Sequence, residues 1–277
     1  MLTVLEILRN VAFLEGRSPI AVAIDVGAHV GAFSRELLGS GLYGQVIAFE
    51  PNPVNLIELD ALAATQPFLT VVKKALGDID SAADFHHDEN TATGSLLAYG
   101  SKYQSKGVTR QLRVPVVSLD SYLSHNPERA PVALIKIDTQ GHDLAVIRGA
   151  SGTLATDRPC VIAELMCLPM YKGQSTPEEI FESMRSRGYE TYTFFNIHAT
   201  VEGRMAFADA LFVPRELAVP YSQRFEQLDN HMSSRMQIET LTRICAERLD
   251  VINVLDAEVK RLTALPVAQP NADGLTG

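Results

Sequence analysis

The sequence contains few cysteines, no long apolar run and no run of basic residues. Its three cysteines, Cys160, Cys167 and Cys245, match neither a disulfide framework nor the spacing of a zinc site, which predicts thiols in a reducing compartment. No apolar segment reaches the roughly 18 residues of a membrane span, and the amphipathic N-terminus lacks the basic start of a signal peptide. The sequence therefore predicts a cytoplasmic protein without a membrane span.

The balance of charges excludes two classes of partner. The formal net charge of the 277 residues is −9, and Lys and Arg never occur five in a row. We therefore expect no binding to nucleic acid through phosphate neutralisation, and the acidic balance also disfavours anionic lipid. With 46% hydrophobic and 21% charged residues, the chain has the composition of a globular protein with a buried core.

Short β-branched segments alternate with helical patterns over residues 19–215, which is typical of a parallel sheet with crossover helices. Pro53 precedes one predicted helix, and Thr176 with Glu179 predicts a capping box at another. We expect a doubly wound α/β sheet with helices on both faces and an antiparallel edge. The predicted strands are residues 21–26, 45–50, 69–76, 132–138, 160–164, 190–195 and 206–213, and the predicted helices are residues 54–64, 142–149 and 177–188, with an N-terminal helix in residues 1–18.

The C-terminal residues follow a different pattern. Apolar residues recur in alternate three- and four-residue steps over residues 238–262, with Arg248 at one seam position, and Pro266 ends the pattern. Either a helix packed on its own domain or a coiled coil would produce this pattern. We expect a connector and heptad helix over residues 216–265 that joins two subunits or docks a partner, and a disordered tail at 266–277.

A glycine-rich turn follows the first predicted strand. The segment Asp25-Val-Gly-Ala-His-Val-Gly31 lies between that buried strand and a helix that starts near Phe33. Glycines let the backbone approach a bound cofactor, and a helix N-terminus can receive the cofactor's carboxylate. A turn of this kind also occurs in nicotinamide enzymes. The expected contacts in the turn are Asp25, Gly27, Ala28, His29 and Gly31.

Carboxylates end three of the predicted strands. Glu50, after the second strand, can accept hydrogen bonds from both hydroxyls of a cofactor ribose, whether or not the cofactor is NAD. The strand at 132–138 carries Lys136 and Asp138, charges that are costly to bury unless they are paired or lie at the open end of the sheet. Because doubly wound sheets bind ligands at that end, Asp138, the nearby His142 and Glu164 are candidate site residues.

Seven segments, in this order, resemble the FkbM-type methyltransferase family: IDVGAHVGAFS, VIAFEPNP, VVKKALGD, TGSLL, VVSLDSYL, LIKIDTQGHDLAVIRGA and CVIAEL. The resemblance covers residues 20–200 and implies a Rossmann-like class I methyltransferase domain that uses S-adenosyl-L-methionine. Most members methylate hydroxyl oxygens of sugars or secondary metabolites. The chain departs from the family at His29, where many methyltransferases carry Gly or Asn, and at Gln140, where many relatives carry Glu.

With S-adenosylmethionine as the cofactor, the candidate residues acquire roles. Asp25 is placed to bind its ammonium group, Asp138 lies at the cofactor end of its strand, and Leu76 and Asp78 are expected to meet the adenine. An alcohol is a poor nucleophile at neutral pH, so a base or a metal is needed. His142 is the first candidate for that base and Asp138 is the second, and Glu164 at the end of the next strand could join Asp138.

Asp138 and Glu164 lie at the ends of adjacent predicted strands and could together hold Mg²⁺. Alternatively, they bind hydroxyls of the substrate. We expect residues 78–113, which include an irregular stretch at 78–110, and the loop 165–176 to select the acceptor. In that loop Tyr171 offers a stacking face for a sugar.

The expected activity is thus O-methylation of a sugar, a glycan or a secondary metabolite. One alternative is a docking subunit that binds S-adenosylmethionine and holds a glycan-assembly partner through the heptad helix. Another is a nicotinamide oxidoreductase, although the second half of the chain lacks a Tyr-x-x-x-Lys pattern.

Overall fold

Helices and strands alternate along residues 3–15, 21–101 and 108–217, which are the residues that the computed structural model describes. The helices are α1 Val4–Glu15, α2 Ala32–Ser40, α3 Pro53–Thr65, α4 Leu119–Ser124, α5 Asp143–Gly149, α6 Ser151–Thr156 and α7 Pro177–Ser186. The strands are β1 Val22–Val26, β2 Gln45–Phe49, β3 Leu69–Val72, β4 Ala75–Leu76, β5 Ser81–His87, β6 Arg110–Val117, β7 Val132–Ile137, β8 Cys160–Met166, β9 Tyr189–Ala199 and β10 Met205–Pro214, with a 3₁₀ turn at Thr91–Thr93.

Seven strands form the central sheet in the order β3-β2-β1-β7-β8-β10-β9. The first five pair in parallel, whereas β10 runs antiparallel to both β8 and β9. The predicted doubly wound α/β sheet with an antiparallel edge is confirmed. The strand order reverses between β1 and β7, and sheets of this kind bind ligands beyond the carboxyl ends of the strands at such a point.

The central strands are buried on both faces. All five side chains of β1 and all seven of β8 are buried. Because successive side chains of a strand point to opposite faces, this pattern requires packing on both sides of the sheet. Apolar side chains of helices α4, α5, α6 and α7 complete the same core cluster.

A second sheet departs from the predicted pattern. The strand predicted over residues 69–76 is interrupted by the exposed Lys73 and Lys74, and β4 then pairs with β6 instead of continuing the central sheet. The stretch 78–110, predicted to be irregular, contains β5, which completes a three-stranded sheet in the order β4-β6-β5. β5 gives little hydrophobic signal because only Phe85 and His87 of its seven side chains are buried.

Helix starts follow their local sequence signals. The side chain of Asn52 accepts a hydrogen bond from the backbone of Val54 at the start of α3, with Pro53 as its first residue. Thr176 and Glu179 form the predicted capping box of α7. At α5 the N-cap is His142, so this helix begins one residue later than predicted.

The remaining predictions concern the N-terminal helix, the C-terminal segments and the absence of a membrane span. The predicted N-terminal helix corresponds to α1, over Val4–Glu15. The predicted heptad helix at 238–262, nearly all of its connector and the tail at 266–277 lie outside the described residues. No helix within the described ranges is long and apolar enough to cross a membrane.

We expect Gly149→Ala to destabilise the fold and Gly39→Ala to stabilise it. A Cβ on Gly149 would overlap the carbonyl oxygen of Gly77, and overpacking of this kind costs about 1–3 kcal/mol. Gly39 lies inside α2, where an added Cβ meets no described atom within 4 Å, and alanine is favoured over glycine in a helix by about 0.5–1 kcal/mol. Thermal unfolding of the full chain measures both effects. Equal melting temperatures for the two variants would contradict the packing of α5 on the turn after β4.

Candidate cofactor site and active site

A cavity of about 740 Å³ opens at the carboxyl ends of β1, β2 and β7, where the strand order reverses. A volume of this size is within the range of small-molecule sites, about 300–1,000 Å³. The cavity brings together many of the predicted site residues, namely Gly27, Ala28, His29, Glu50, Leu76, Asp138 and His142.

Two glycines shape the turn after β1 through contacts within the protein. Gly27 has a φ of +72°, and a Cβ there would overlap the carbonyl oxygen of Asp138. Gly31 has a φ of +81°, and a Cβ there would lie 2.6 Å from Leu59 and 2.8 Å from Leu62 of α3. The sequence predicts these glycines for the approach of a cofactor, and their positions show that they also serve the packing of the turn.

Two backbone amides orient Glu50 at the cavity wall. The N–H of His29 donates to Oε2 and the N–H of Asn52 donates to Oε1, each at 2.8 Å. The side chain is 4% exposed, and burial raises the pKa of Glu50 to about 7 even though these hydrogen bonds favour its charged form. Each carboxylate oxygen can accept more than one hydrogen bond, so the group can receive two further donors from a ligand.

Asp25 lies beneath the cavity. Its fully buried carboxylate accepts a 2.7 Å hydrogen bond from the hydroxyl of Ser34 in α2, and its Oδ1 is 3.5 Å from Nζ of Lys136. Asp25 therefore anchors a lysine of the cavity wall. Its predicted contact with the ammonium group of the cofactor stays a prediction.

Lys136 is the cation at the centre of the site. Its Nζ lies 3.3 Å from Oδ2 of Asp138 and donates to the carbonyl oxygen of Gly27, also at 3.3 Å. Burial alone would lower the pKa of Lys136, but the charges of Asp138, Asp25 and Asp209 raise it. Lys136 therefore stays charged. It contacts groups at the ends of β1 and β7, and its charge also acts on Asp209 of β10.

Gln140 joins two carboxyl groups. Its Nε2 donates to Oδ1 of Asp138 at 2.9 Å and to Oε2 of Glu164 at 2.8 Å. The hydroxyl of Tyr171 lies 3.0 Å from its Oε1 and supports this orientation of the amide. Tyr171 is only 3% exposed, so the expectation that it offers a stacking face to a sugar is wrong.

The predicted magnesium site finds no support. The amide of Gln140 donates hydrogens to both carboxyl groups that were expected to hold the cation. In the described parts of the chain, no group of three or more His, Cys, Asp or Glu side chains could hold a metal ion. Burial, followed by the charges of Asp138 and Asp143, raises the pKa of Glu164 well above its usual value. The protonated form that this favours neither binds a metal nor accepts a proton.

His142 lies against the turn that follows β4. Its Nε2 would be 3.4 Å from a Cβ on Gly77, and its side chain makes no capping hydrogen bond to α5. Burial lowers the pKa of His142 although the charge of Asp78 opposes the shift, so the ring is neutral at pH 7. Asp78 itself is exposed, and Leu76 lines the cavity beside this turn. His142 therefore lies at the end of the cavity where the sequence predicts the adenine.

The turn after β7 is held by a buried acid. Asp143 accepts hydrogen bonds from the backbone of Thr139 at 3.4 Å and of Gly141 at 3.1 Å. Burial, and then the charge of Asp138, raises the pKa of Asp143 to about 7. These bonds stabilise a turn in which Gln140 has a φ of 56° and Gly141 a φ of 91°.

The opposite end of the cavity contains residues that the sequence pattern does not identify as site residues. Asn196 and Asp209 of the β9–β10 hairpin line it together with Phe195. The amide of Asn196 donates to Oδ2 of Asp209 at 2.8 Å. The sequence does contain one indication that Asp209 is a site residue. It is a charged residue within the strand MAFADALFVP, and a charge in an apolar strand is costly unless it is paired or binds a ligand.

The segment at residues 91–96 connects the two halves of the cavity wall. Nε2 of His29 lies 2.8 Å from Oγ1 of Thr91, and the hydroxyl of Ser95 donates to the carbonyl oxygen of Gln140 at 2.9 Å. This segment belongs to the stretch that we expect to select the acceptor. The contacts place it in the wall between the turns after β1 and β7.

The solved structures that are similar to the chain are remote in sequence. A methyltransferase FkbM from Methylobacillus flagellatus KT is 16% identical, with 70% of this chain and 44% of that chain covered and a TM-score of 0.46. Precorrin-6y C5,15-methyltransferase from Geobacter metallireducens GS-15 is 15% identical. The similarity covers 75% of this chain and 87% of that chain, with a TM-score of 0.42. A third structure is a Burkholderia thailandensis 1,6-didemethyltoxoflavin-N1-methyltransferase with bound 1,6-didemethyltoxoflavin and S-adenosylhomocysteine. It is 12% identical, and the similarity covers 75% of this chain and 77% of that chain, with a TM-score of 0.37. The chain thus spans less than half the length of the Methylobacillus protein.

The family assignment comes from the sequence itself. No curated protein matches the chain. The model of the methyltransferase FkbM domain matches residues 25–191, which is more than half of the 277 residues and includes the glycine turn, Glu50, Asp138 and Glu164. The chain therefore belongs to the FkbM methyltransferase family.

Proposed function

We propose that the protein is a methyltransferase that transfers the methyl group of S-adenosylmethionine to a hydroxyl oxygen of a sugar, a glycan or a secondary metabolite. One observation carries the proposal: the cavity has two polar ends, Glu50 on the β2 side and Asn196 with Asp209 on the β10 side, separated by Lys136 and Asp138. A cofactor bound at the first end leaves the second for an acceptor. Carboxylate and amide oxygens there suit an acceptor that offers hydroxyl donors.

The residues of the first end fit S-adenosylmethionine. Glu50 can accept hydrogen bonds from the two ribose hydroxyls, because each carboxylate oxygen has more than one acceptor position for donors beside the backbone amides and the Asn55 side chain that the group already binds. Leu76 lines the cavity at the end that we assign to the adenine. The carboxylate of Asp138 favours the cationic methionine part of the cofactor.

When bound, S-adenosylmethionine supplies an electrophilic methyl group. The chain's own contribution is to align the acceptor oxygen, exclude water and accept the hydroxyl proton. Among the residues predicted for proton transfer, Asp138 already binds Lys136 and Gln140, and Glu164 favours its protonated form. His142 lies at the proposed adenine end, where we assign it a contact with the cofactor.

Glu50→Ala should weaken the binding of S-adenosylhomocysteine by about 1–3 kcal/mol, because the ribose hydroxyls lose a charged acceptor. Isothermal titration calorimetry on the full chain measures the loss. Glu58→Ala is the matched control, since it removes the same charge from an exposed position of α3. S-adenosylhomocysteine should also raise the melting temperature of the wild-type protein, whereas NADH should not. Equal affinity of Glu50→Ala and wild type would remove Glu50 from the site.

The proposed hydrogen bonds between Glu50 and the ribose predict that the affinity for S-adenosylhomocysteine depends on pH. The ribose hydroxyls bind the ionised form of Glu50, and the pKa of this group is about 7 in the protein without ligand. The affinity for S-adenosylhomocysteine should therefore fall by about tenfold between pH 8 and pH 6, as protonation of the carboxylate competes with binding. In Glu50→Ala this part of the pH dependence should vanish.

His142→Ala should raise the Kd of S-adenosylhomocysteine while turnover at saturating cofactor stays near that of wild type. The reason is that the ring lies beside the turn after β4, which is the proposed adenine end. If His142 were instead the general base, turnover would fall by roughly 10²-fold with an unchanged Kd. Calorimetry together with single-turnover assays separates these two outcomes.

Labelled S-adenosylmethionine should transfer its methyl group to a hydroxyl compound in a panel of neutral sugars, glycans and hydroxylated metabolites. The product of O-methylation at a hydroxyl is an ether, so its label should survive mild alkali, whereas a methyl ester would release it. Glu50→Ala, assayed below saturation, serves as the control for transfer that depends on this cavity. Label found only in an ester, on nitrogen or on carbon would contradict the proposal.

A further inference from the structure

The acceptor end of the cavity is built around an irregularity in the β9–β10 hairpin. Phe207 pairs with His198 and Asp209 pairs with Phe195, so two residues of β9 lie opposite the single Ala208 of β10. One of these two residues, Asn196, has a φ of 49°. Bulges of this kind redirect side chains and are frequent next to active sites, and asparagine is one of the few residues besides glycine that adopt the left-handed conformation readily.

This irregularity brings the amide of Asn196 onto the carboxylate of Asp209. Nδ2 of Asn196 donates to Oδ2 at 2.8 Å, and Asp209 lines the cavity. In the part of the chain that the structure describes, no hydrogen bond reaches Oδ1, the other oxygen of Asp209. One oxygen is thus fixed by the hairpin, and the other can receive a donor from a ligand.

Three carboxyl groups near the centre of the cavity are already engaged within the protein. Asp25 binds Ser34 and Lys136, while Asp138 binds Lys136 and Gln140. Glu164, directly opposite Asp209 on β8, binds Gln140. Asp209 differs from these three groups: among the described residues its carboxylate receives one hydrogen bond, and that bond comes from the neighbouring strand of its own hairpin.

Charged and titratable groups face Asp209 from each strand packed near it. They are Lys136 on β7 and Asp138 directly after it, Glu164 on β8 and His198 on β9. Burial raises the pKa of Asp209 above its usual value, the hydrogen bond from Asn196 opposes the shift, and Asp138 adds to it. A carboxylate with a raised pKa is a better proton acceptor than an exposed one, as long as the working pH keeps it ionised.

We infer that Asp209, oriented by Asn196, binds the reacting hydroxyl of the acceptor and accepts its proton. This inference rests on the proposed function. In the step, the O–H bond breaks and the proton passes to the free oxygen of Asp209. The oxygen lone pair of the acceptor forms the new bond to the methyl carbon, and the electron pair of the broken carbon–sulfur bond stays on sulfur, which leaves S-adenosylhomocysteine. Asp209 is the catalytic residue, and Asn196 is a positioning residue.

A cofactor analogue tests the inference without knowledge of the acceptor. Sinefungin carries an amino group, protonated at neutral pH, on the carbon that replaces the sulfonium, so its ammonium lies where the transferred methyl group would be. S-adenosylhomocysteine lacks this group. The ratio of the two Kd values, measured by calorimetry on the full chain at pH 8, therefore reports a carboxylate that faces the transferred group.

Asp209→Asn should lower the preference for sinefungin over S-adenosylhomocysteine by about tenfold or more, because a charge-assisted hydrogen bond is lost. Its affinity for S-adenosylhomocysteine should stay unchanged. Glu190→Gln is the matched control: it removes one charge from an exposed position near the other end of the same hairpin and should keep the wild-type preference. An unchanged preference in Asp209→Asn would overturn the inference. Failure of the wild-type protein to bind S-adenosylhomocysteine at all would overturn the proposed function itself.

Asn196→Gly tests the positioning role. Glycine adopts the left-handed conformation without strain, so this variant removes the amide and keeps the backbone. In the wild type, the preference for sinefungin should fall as the pH drops and Asp209 becomes protonated. In Asn196→Gly this fall should move to higher pH, because the hydrogen bond that favours the ionised form is gone. A pH profile identical to that of wild type would show that Asn196 does not position Asp209.

Discussion

The site depends on the burial of one ammonium group among carboxylates. Nζ of Lys136 lies 3.5 Å from Oδ1 of Asp25 and 3.3 Å from Oδ2 of Asp138, and its charge also acts on Asp209. A buried ion pair of this kind gives little net stability compared with apolar packing, but the loss of one partner leaves an uncompensated charge and costs about 3–5 kcal/mol. Lys136 thereby fixes the mutual arrangement of strand ends that lie far apart in the sequence.

This arrangement would allow one cavity to bind the two ligands that we propose. Lys136 and Gln140 bind the carboxyl groups at the centre of the cavity, which leaves Glu50 and Asp209 at its two ends with oxygens for ligands. A wall with several carboxylates and one lysine favours the cationic methyl donor over its neutral thioether product. The same wall disfavours an acceptor with an anionic group next to the reacting oxygen. The electrostatics of the site therefore agree with transfer to a neutral hydroxyl.

The sequence predicts the parts of this site that depend on local patterns. The buried parallel strands, the glycine turn and the carboxylate of Glu50 each follow from a few neighbouring residues. The contact between Asn196 and Asp209 depends on a register shift between two antiparallel strands, and no local pattern encodes it. The polar β5 escapes because only two of its seven side chains are buried. The two residues of β4 are predicted as the end of a longer strand, whereas they pair with β6 in a second sheet. The heptad helix at 238–262 stays a prediction.

A crystal structure of the full chain with S-adenosylhomocysteine tests the central claim most directly. The account predicts the ligand in the cavity at the carboxyl ends of β1, β2 and β7. Both ribose hydroxyls should lie about 2.5–3.0 Å from the carboxylate of Glu50, the range of a hydroxyl hydrogen bond. The sulfur should face the side of the cavity that Asp209 lines. A ribose bound away from Glu50, or a ligand outside this cavity, would contradict the account.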